Sequence, residues 1–375
     1  MKGNIQRRGK ASWRLKFEIG PDPLTGQRRT RYKTVRGKRA DAERELRAIL
    51  YRQDKGVAID PSKITVAEFL DGWLDDVAPQ RVAPKSLERY RGLARNQIKP
   101  HLGSIQLQKL RPADIAGWIQ TLIGSGKLST RSIRAAHGVL RTAINHAAAI
   151  EIVERNVASI IKPPAPERAE ITILTADEIA DALEQMEGHS LYPIVALAIG
   201  TGARRGEIAA LRWSDFDLDA ATVRIERSLE QTKEGLRIKA PKTAAGRRTV
   251  SLPAFAVKAI RNHRREQLEL RLALGAGALP GAAPVFGDVE GNWPKPESIS
   301  DRWRDVIKRR KIPKVTFHAL RHSHASALIA AGLDVVNVSR RLGHASPALT
   351  LGVYSHLFKN NDEEAAAAID DALAK

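Results

Sequence analysis

The proline-rich stretch IKPPAPERAEIT, residues 161–172, constrains the fold more than any other feature of the sequence. Proline has no backbone N–H to donate and is excluded from helix interiors and central strands, so this stretch predicts a stiff linker between folded units. A chain of 375 residues is also long for one domain. We therefore expect two or three domains, with one boundary in this linker.

Two different patterns precede the linker. Residues 1–55 contain the alternating stretches SWRLKFEI and QRRTRYKTV, followed by a helical pattern, which predicts a small β-sheet plus one helix. Residues 64–161 have helical spacing and open on a capping box, in which Thr65 is followed three residues later by Glu68. These residues predict an all-α bundle of four helices.

Residues 172–375 mix both patterns. Thr175 and Glu178 predict another capped helix, and LYPIVALAIGTGARRGEIAALRW predicts a buried pair of helices. Short strands are predicted for three stretches: TVRIER, LRIKA and RRTVSLP. The expected fold class is therefore multidomain, with a small β-sheet plus helix N-terminal module, an all-α helical bundle, and a mainly α domain that contains a small antiparallel sheet.

Positive charge is concentrated near the N-terminus. The formal net charge is +20, and residues 1–40 carry thirteen Lys and Arg against Glu18 and Asp22. Such a dense positive charge favours binding to a polyanion. Because these residues have no amphipathic apolar stripe, the expected polyanion is nucleic acid and not a membrane surface. The chain has no cysteine, which excludes disulfides and thiolate metal sites. With no signal peptide and no apolar run of membrane-spanning length, we expect a cytoplasmic protein without a membrane partner.

Histidines cluster in the C-terminal part of the chain. Five of the ten lie within residues 318–356, namely His318, His322, His324, His344 and His356. His318 and His322 are four residues apart and could share a helix face, as zinc ligands do. However, Arg321 would repel a dication, and no carboxylate nearby offers a third ligand. The pattern therefore predicts no metal site.

The tyrosine at position 354 lies among these histidines and accompanies further cationic residues. The cationic candidates are Arg204, Lys242, His318, Arg321 and His344. Glu207 follows Arg204 by three residues, a spacing at which a carboxylate can orient an arginine. Arginine binds phosphate oxygens in a bidentate manner and stays charged. A phenol, with a pKa of about 10, needs such cations and a base to attack phosphorus. The set suits a phosphodiester site with Tyr354 as the nucleophile.

These residues lie in boxes that resemble those of the tyrosine recombinase (phage integrase) family. TGARRGE matches the family's T-G-x-R-x-x-E box, which assigns Arg204 and not Arg205 to the site. HALRH matches H-x-L-R-H, and LGHASPALTLGVY matches L-G-H followed ten residues later by tyrosine. Each box alone is weakly specific, but three in order at the family's spacing are strongly specific.

The region between the boxes matches the family's β-hairpin lysine. Lys242, in the sequence PKT, corresponds to that lysine, whereas Lys233 and Lys239 fit the turn less well. The first box departs from the family pattern at Ala203, where leucine is common, and at Gly206, where serine is common. Neither departure involves a reacting atom, so the catalytic set is complete.

The resemblance extends over the whole chain and implies its domains and partners. Residues 1–55 resemble an arm-type DNA-binding domain, residues 64–161 a helical core-binding domain, and residues 172–375 the tyrosine recombinase catalytic fold. The implied partners are double-stranded DNA with core-type and arm-type sites, other copies of the chain in a synaptic tetramer, and host DNA-bending or directionality factors. We expect integration or excision of a phage or mobile element.

The resemblance also implies how the reaction proceeds. Tyr354 attacks a DNA phosphate to form a 3′-phosphotyrosyl link and release a 5′-hydroxyl. Arg204, Arg321 and His344 hold the non-bridging oxygens, on which charge develops. Because one phosphoester replaces another, neither ATP nor a metal ion nor any other cofactor is required.

Proton transfer is assigned to two further residues by the same resemblance. Lys242 protonates the leaving 5′-oxygen, and His318 accepts the phenol proton. Glu207 supports an arginine and takes no chemical step. His322 and His324 are expected to be structural or to contact the DNA backbone.

Other functions are possible for such a sequence. A type IB topoisomerase-like enzyme shares this chemistry, but two N-terminal DNA-binding modules favour site-specific recombination. A catalytically inactive DNA-binding regulator on the same scaffold is disfavoured by the complete set of site residues. A phosphoprotein phosphatase is less favoured still, because the chain has neither a cysteine nucleophile nor a metal cluster.

The C-terminal residues 361–375 are acidic, with a net charge of −4, in a strongly basic chain. Their alanines favour a helix, and their few apolar residues form a face too small to fold alone. The resemblance favours a neighbouring protomer, rather than the same chain, as the surface on which this segment docks.

Overall fold

The computed structural model describes residues 3–21, 28–54, 62–167, 172–241 and 244–355, together with 366, 369, 370 and 372–374. The chain forms two compact units, Met1–Arg168 and Ala169–Lys375. The division lies within the proline-rich stretch, while the finer division of the first unit into two domains stays a prediction. Among the described residues, none of the helices is both long enough and apolar enough to span a membrane.

The first unit begins with an antiparallel sheet of three strands in the order β1-β2-β3. The strands are β1 Gly3–Gly9, β2 Ser12–Pro21 and β3 Arg28–Arg36, and the helix that follows is α1 Arg39–Asp54. Leu15 of β2 is buried against Ala42 and Leu46 of α1. The sequence predicted β2, β3 and α1 but not β1, whose residues are mostly polar. The stretch GPDPLTG, residues 20–26, predicts a turn-rich connection between β2 and β3, and its residues 22–26 lie outside the described residues.

The rest of the first unit is a helical bundle, as predicted. Its helices are α2 Val66–Gly72, α3 Ala78–Arg81, α4 Pro84–Leu93, α5 Lys99–Leu102, α6 Pro112–Gly124 and α7 Thr130–Ala149. The capping box is present, since the Thr65 side chain accepts from the backbone of Glu68 and the Glu68 carboxylate accepts from Thr65. Their apolar faces enclose one core, with Trp118, Leu140 and Ile144 among its buried side chains.

Two of the four predicted helices contain a π-helical turn that the sequence analysis did not predict. The turns are Trp73–Val77 and Ala94–Ile98, and each ends two residues before a proline, Pro79 or Pro100. A proline inside an α-helix removes one hydrogen bond and clashes with the carbonyl group four residues earlier. The wider π turn accommodates that carbonyl group, so the helix continues without a sharp break.

The second unit is mainly helical, with two small antiparallel sheets. Its helices are α8 Ala176–Met186, α9 Tyr192–Thr201, α10 Arg205–Ala209, α11 Ala254–Ala273, α12 Pro296–Arg309, α13 Ala319–Ala330, α14 Val335–Leu342 and α15 Pro347–Tyr354. Its strands are β4 Phe216–Asp217, β5 Thr222–Ile225, β6 Ser228–Thr232, β7 Gly235–Lys239 and β8 Arg248–Ser251. One sheet has the order β4-β5-β8, and the other is the hairpin β6-β7. Strands β4 and β6 were not predicted.

The centre of the second unit is α9, which is buried from Pro193 to Thr201. Apolar residues lie on all sides of this helix, so it packs against α11 on one side and α13 on another. The end of α9 thereby lies beside the start of α13. This arrangement brings the first and second sequence boxes together.

Candidate active site

The first box forms the junction between α9 and α10. Gly202 ends α9 in the left-handed conformation, with φ of 64°, and Arg204 is the N-cap residue of α10. The Arg204 backbone N–H donates to Glu207 Oε2 at 2.9 Å, and Arg204 Nη1 donates to Glu207 Oε1 at 2.7 Å. Glu207 is 3% exposed and Arg204 42% exposed. A buried carboxylate therefore orients an arginine that reaches the surface.

The departure from the family pattern at Gly206 has a structural explanation. A Cβ atom at this position would lie 2.6 Å from the carbonyl oxygen of Leu229 and 2.7 Å from Ser228 Oγ, both in β6. Strand β6 therefore passes so close to α10 that a side chain at residue 206 would force one of them to move.

Arg321 lies in the first turn of α13 and is 4% exposed. Its Nη1 donates to the carbonyl oxygen of Gly202 at 2.7 Å, and its Nη2 donates to that of Leu342 at 2.8 Å. Burial lowers the pKa of Arg321 to about 9, and the charge of Arg204 adds to the effect. The guanidinium thus stays charged at neutral pH and joins the first box to the third, while these two hydrogen-bond partners are neutral carbonyl groups. Such a buried cation favours an incoming anion.

His344 follows Gly343, which ends α14 with φ of 69°. The Nδ1 atom of His344 lies 2.8 Å from the hydroxyl of Thr350, a buried residue. Burial, together with the charges of Arg321 and Arg204, lowers the pKa of His344 to about 4. The imidazole is therefore neutral at physiological pH. A neutral ring whose Nδ1 accepts from Thr350 carries its proton on Nε2 and can donate it to a phosphate oxygen.

Tyr354 is the last residue of α15 and is 4% exposed. Its ring packs in a small apolar cluster with Ile329 and Leu342. Burial raises the pKa of Tyr354 to about 12, although the charge of Arg321 acts in the opposite direction. The phenol is thus fully protonated, and its attack on phosphorus needs a partner that takes the proton.

The Tyr354 hydroxyl lies 2.6 Å from Nδ1 of His322. From the sequence, His322 is expected to be structural or to contact the DNA backbone, and the family resemblance implies His318 as the proton acceptor. The rings of His318 and His322 meet edge to face, with their centroids 5.1 Å apart. Among the described residues, it is therefore His322 that contacts the phenol directly, and His318 lies beyond it.

Both of these histidines are poor bases in this environment. Packing around the ring lowers the pKa of His318 to about 4 even though its side chain reaches the surface, and the charges of His322 and Arg321 add to the effect. Burial also lowers the pKa of His322. Both rings are consequently neutral at physiological pH, the state in which an imidazole can accept a proton.

Lys242 and His356 lie outside the described residues. Of the alternative lysines, Lys239 ends β7 and forms an ion pair with Glu230, and Lys233 lies in the turn between β6 and β7. The assignment of Lys242 therefore stays a prediction.

One cation with a buried side chain, Arg248 at the start of β8, was not predicted from the sequence. Its Nη2 donates to Glu207 Oε2 at 2.9 Å, so the carboxylate is shared between two arginines. The only sequence signal was the position of Arg248 in the predicted strand RRTVSLP, where alternation directs one of the two adjacent arginines towards the interior.

Sequence models of two protein families match the chain. The model described as "Phage integrase family" matches residues 172–361, just over half of the chain. The chain belongs to the phage integrase family. The model described as "Phage integrase, N-terminal SAM-like domain" matches residues 65–123, in the helical bundle. The family expected from the three boxes is thereby confirmed.

Relatives of this integrase-family chain extend over almost its full length. The "Tyrosine recombinase XerC-like" protein of Caldanaerobacter subterraneus subsp. tengcongensis is 28% identical over 388 residues, which cover 99% of this chain and 98% of that protein. The ICEBs1 integrase of Bacillus subtilis (strain 168) is 24% identical over 377 residues, which cover 99% of this chain and 100% of that protein. The topoisomerase-like and inactive-regulator alternatives are not favoured by these relatives.

Solved structures share the fold. The Tn1549 transposon integrase, solved in complex with a circular intermediate DNA, superimposes with a TM-score of 0.67 at 18% identity and covers 83% of this chain and 99% of that one. The lambda integrase tetramer bound to a Holliday junction gives a TM-score of 0.59 at 18% identity. The match covers 96% of this chain and 95% of that chain. The expected multidomain tyrosine recombinase fold is therefore confirmed.

Proposed function

We propose that this member of the phage integrase family cleaves and rejoins double-stranded DNA at specific sites through a covalent 3′-phosphotyrosyl intermediate. The observation that carries this proposal is the surroundings of Tyr354. Its hydroxyl contacts the neutral imidazole of His322, and it lies within the electrostatic influence of the buried cation Arg321. A phenol between a proton acceptor and a charged arginine suits attack on a phosphodiester.

In the proposed cleavage step, the Tyr354 oxygen forms a bond to phosphorus and the bond from phosphorus to the 5′-oxygen breaks. Arg204, Arg321 and His344 donate hydrogen bonds to the non-bridging oxygens, where negative charge increases in the transition state. Lys242 donates a proton to the departing 5′-oxygen. Rejoining is the reverse reaction with a 5′-hydroxyl of another strand, so the number of phosphoester bonds is conserved and no cofactor is consumed.

The phenol proton has two candidate acceptors. The 2.6 Å contact favours His322 as the first acceptor, whereas the family resemblance favours His318. The His318 ring packs edge to face against the His322 ring, with the two centroids 5.1 Å apart. We propose His322 as the immediate acceptor and His318 as the group that completes the proton transfer.

We further propose that the N-terminal module, residues 1–55, binds arm-type DNA sites through its sheet. The strand register aligns Arg14, Lys16 and Tyr32 on the face opposite α1. The Arg14 guanidinium lies over the Tyr32 ring, 4.2 Å from its centroid. A basic face with an exposed aromatic ring suits contacts with both phosphates and bases.

The remaining partners are proposals of the same kind. The helical domain, residues 64–161, would bind core-type sites, and residues 172–375 would carry the chemistry. The solved lambda integrase tetramer on a Holliday junction supports self-association into a tetramer on DNA. We expect the reaction to take place on cytoplasmic DNA, with host DNA-bending or directionality factors as further partners.

Covalent capture tests the proposal. Wild-type protein is incubated with a library of nicked duplexes whose sequence is randomised around the nick, because loss of the short 5′-hydroxyl strand prevents rejoining. DNA that remains attached to the denatured protein is amplified and sequenced. A nicked duplex with the consensus sequence of this DNA, the captured duplex, then serves as the substrate. Wild-type protein should yield such DNA.

The matched control is Tyr354→Phe, which removes only the phenol oxygen. This variant should fold, retain DNA binding in a gel shift and yield no adduct. The lost hydrogen bond to His322 should lower the free energy of unfolding by about 1 kcal/mol. A covalent adduct formed by Tyr354→Phe would show that another residue is the nucleophile.

A further inference from the structure

Arg248 is a buried arginine whose hydrogen-bond partners lie in three different segments of the second unit. Its side chain is 6% exposed. Nη2 donates to Glu207 Oε2 at 2.9 Å, Nε donates to the carbonyl oxygen of Arg341 at 2.8 Å, and Nη1 donates to that of Gly246 at 3.1 Å. One planar guanidinium therefore joins the N-terminus of α10, the last turn of α14 and the loop before β8.

The contact with Glu207 reaches the first box of the site. Glu207 Oε2 accepts from both Arg248 Nη2 and the backbone of Arg204, and Oε1 accepts from Arg204 Nη1. Burial alone would raise the pKa of Glu207, but the charge and hydrogen bond of Arg248, together with Arg204, hold it below its ordinary value. Arg248 thereby keeps ionised the carboxylate that orients Arg204.

The contacts at the end of α14 reach the third box. Arg341 lies three residues before His344, and Gly343 lies directly against Arg248. A Cβ atom at Gly343 would be 2.9 Å from Arg248 Nη1 and 3.0 Å from the carbonyl oxygen of Ala245. The turn that presents His344 is therefore shaped around the Arg248 side chain.

We propose that Arg248 is a positioning residue for DNA cleavage. It fixes Glu207 and the turn at residues 341–344 relative to each other, so that Arg204 and His344 bind the same phosphate. This inference rests on the proposed function. Arg248 acts through Glu207 and the turn, since its side chain is buried and donates to protein groups in the described part of the chain.

The chain contains a matched control pair. Arg227 forms an ion pair with Asp215, which is as deeply buried as Glu207. Asp215 also accepts from the backbone N–H of Arg212 at 2.9 Å, as Glu207 does from Arg204. Among the residues that the structure describes, neither member of this pair contacts a proposed site residue, so R227M reports the general effect of breaking a buried ion pair.

The experiment measures the rate of covalent adduct formation on the captured duplex for wild-type protein, R248M, R248K, E207Q, E207Q/R248M and R227M. R248M should be slowed about 100-fold, as misplacement of binding groups by about 1 Å can do. R248K keeps the charge but loses the planar fork, so it should be slowed about tenfold. R227M should cleave at the wild-type rate. If Arg248 acts largely through Glu207, the double variant should be little slower than the slower single variant.

The pH profile separates positioning from a purely structural role. Arg204, Arg248 and Arg321 are the charged groups that influence Glu207 among the described residues. Without Arg248, burial should raise the pKa of Glu207, and a protonated Glu207 holds Arg204 less well. R248M should therefore lose more activity at mildly acidic than at mildly alkaline pH, whereas E207Q should show no such difference from the wild type.

The outcomes distinguish this inference from the proposed function. If wild-type protein forms no adduct with any duplex, the proposed function is wrong and this inference fails with it. If wild-type protein forms the adduct and a folded R248M does so equally fast, only the role of Arg248 is wrong. If R248M does not fold, R248K decides, and a wild-type rate in R248K would overturn the proposal. Fully additive losses in E207Q/R248M would also overturn it.

Discussion

At the scale of single residues, burial divides the site into cations and neutral groups. Arg321 has a pKa of about 9 and stays charged at neutral pH. Burial lowers the pKa of His318 and His344 to about 4 and also lowers that of His322. The arginines therefore carry the positive charge, and the imidazoles are available as neutral donors and acceptors. This division suits a reaction that needs phosphate binding and proton transfer in one small volume.

The two candidate proton acceptors can be separated by paired substitutions. Asparagine at position 322 keeps a polar atom near the position of Nδ1 but cannot take up a proton. We expect His322→Asn to slow adduct formation on the captured duplex by about 100-fold, the effect of losing a general base. His318→Asn is the matched control and should be slowed less. A larger loss in His318→Asn than in His322→Asn would favour the assignment from the family resemblance.

A buried histidine outside the reacting group predicts how stability depends on pH. Nδ1 of His324 lies 2.6 Å from the carbonyl oxygen of Ile199, and its Nε2 accepts from Arg341 Nε at 3.2 Å. This geometry requires the neutral ring, and burial together with the Arg341 charge lowers the pKa of His324 to about 4 from 6.5. Between these two values the unfolded chain binds the extra proton. The free energy of unfolding should therefore fall as pH drops through this window.

For His324 alone, the free energy of unfolding should decrease by about 2 to 3 kcal/mol across this pH window. The free energy of unfolding is measured with urea at neutral pH and at a pH near the lowered pKa of His324. The variant His324→Asn cannot be protonated, so its free energy of unfolding should depend less steeply on pH than that of the wild type. Identical slopes in both proteins would contradict the assignment of the low pKa to His324.

At the scale of elements, two helix ends present site residues directly after a glycine. Gly202 ends α9 two residues before Arg204, and Gly343 ends α14 immediately before His344. Both glycines have positive φ, which side chains other than glycine adopt at a cost of about 1 to 2 kcal/mol. At both positions a Cβ atom would also lie within 3.0 Å of a neighbouring residue. The glycines thus set the direction of the chain and permit close packing.

Alanine substitutions at two glycines should separate backbone strain from packing. Gly343 has φ of 69° and packs against Arg248, whereas Gly332 has φ of 84° and open space around it. Gly332→Ala should lower the free energy of unfolding by about 1 kcal/mol through strain alone. Gly343→Ala should lower it further and should also slow adduct formation, because Arg248 and His344 must shift. Equal effects of the two substitutions on stability and rate would contradict this account.

At the scale of the whole molecule, the two units differ in their charge and in the proposed site residues that they contain. The proposed site residues described by the structure all lie in the second unit, while the densest positive charge lies in the first. The acidic C-terminal segment differs from both in its charge. Of its residues that the structure describes, Ile369 and Leu373 are exposed. Their exposure in a single chain is compatible with docking on another protomer.

Truncation after Asn360 tests the role of this segment. Binding of one protomer to a single half of the captured duplex should stay near the wild-type level, because the segment is acidic and unsuited to hold DNA. Cooperative binding to two inverted halves should weaken, and recombination should decrease more than adduct formation on the nicked duplex. Gel shifts and recombination assays measure these effects. A lower melting temperature with unchanged cooperativity would show instead that the segment packs on its own chain.

Much of the fold and the identity of the boxes followed from the sequence, because the interactions responsible are local. The capping boxes at Thr65 and Thr175 each join residues three positions apart, and both are present. The same spacing predicted that Glu207 would orient Arg204, as the structure has it. Strand β1 and the π turns were missed because they depend on small differences between competing hydrogen-bond patterns, which the residue pattern does not resolve.

Local sequence patterns were sufficient to identify the family, most of the helices and the residue types available for chemistry. Which of these residues contact one another depends on the tertiary fold. The contact of Tyr354 with His322 joins two boxes, and the contact of Arg248 with Glu207 joins a strand to a helix of a different supersecondary unit. Such pairs, and the burial that sets their pKa values, depend on how distant segments pack against α9. No spacing within a single box encodes that packing, because it results from the summed burial of apolar surface over the whole unit.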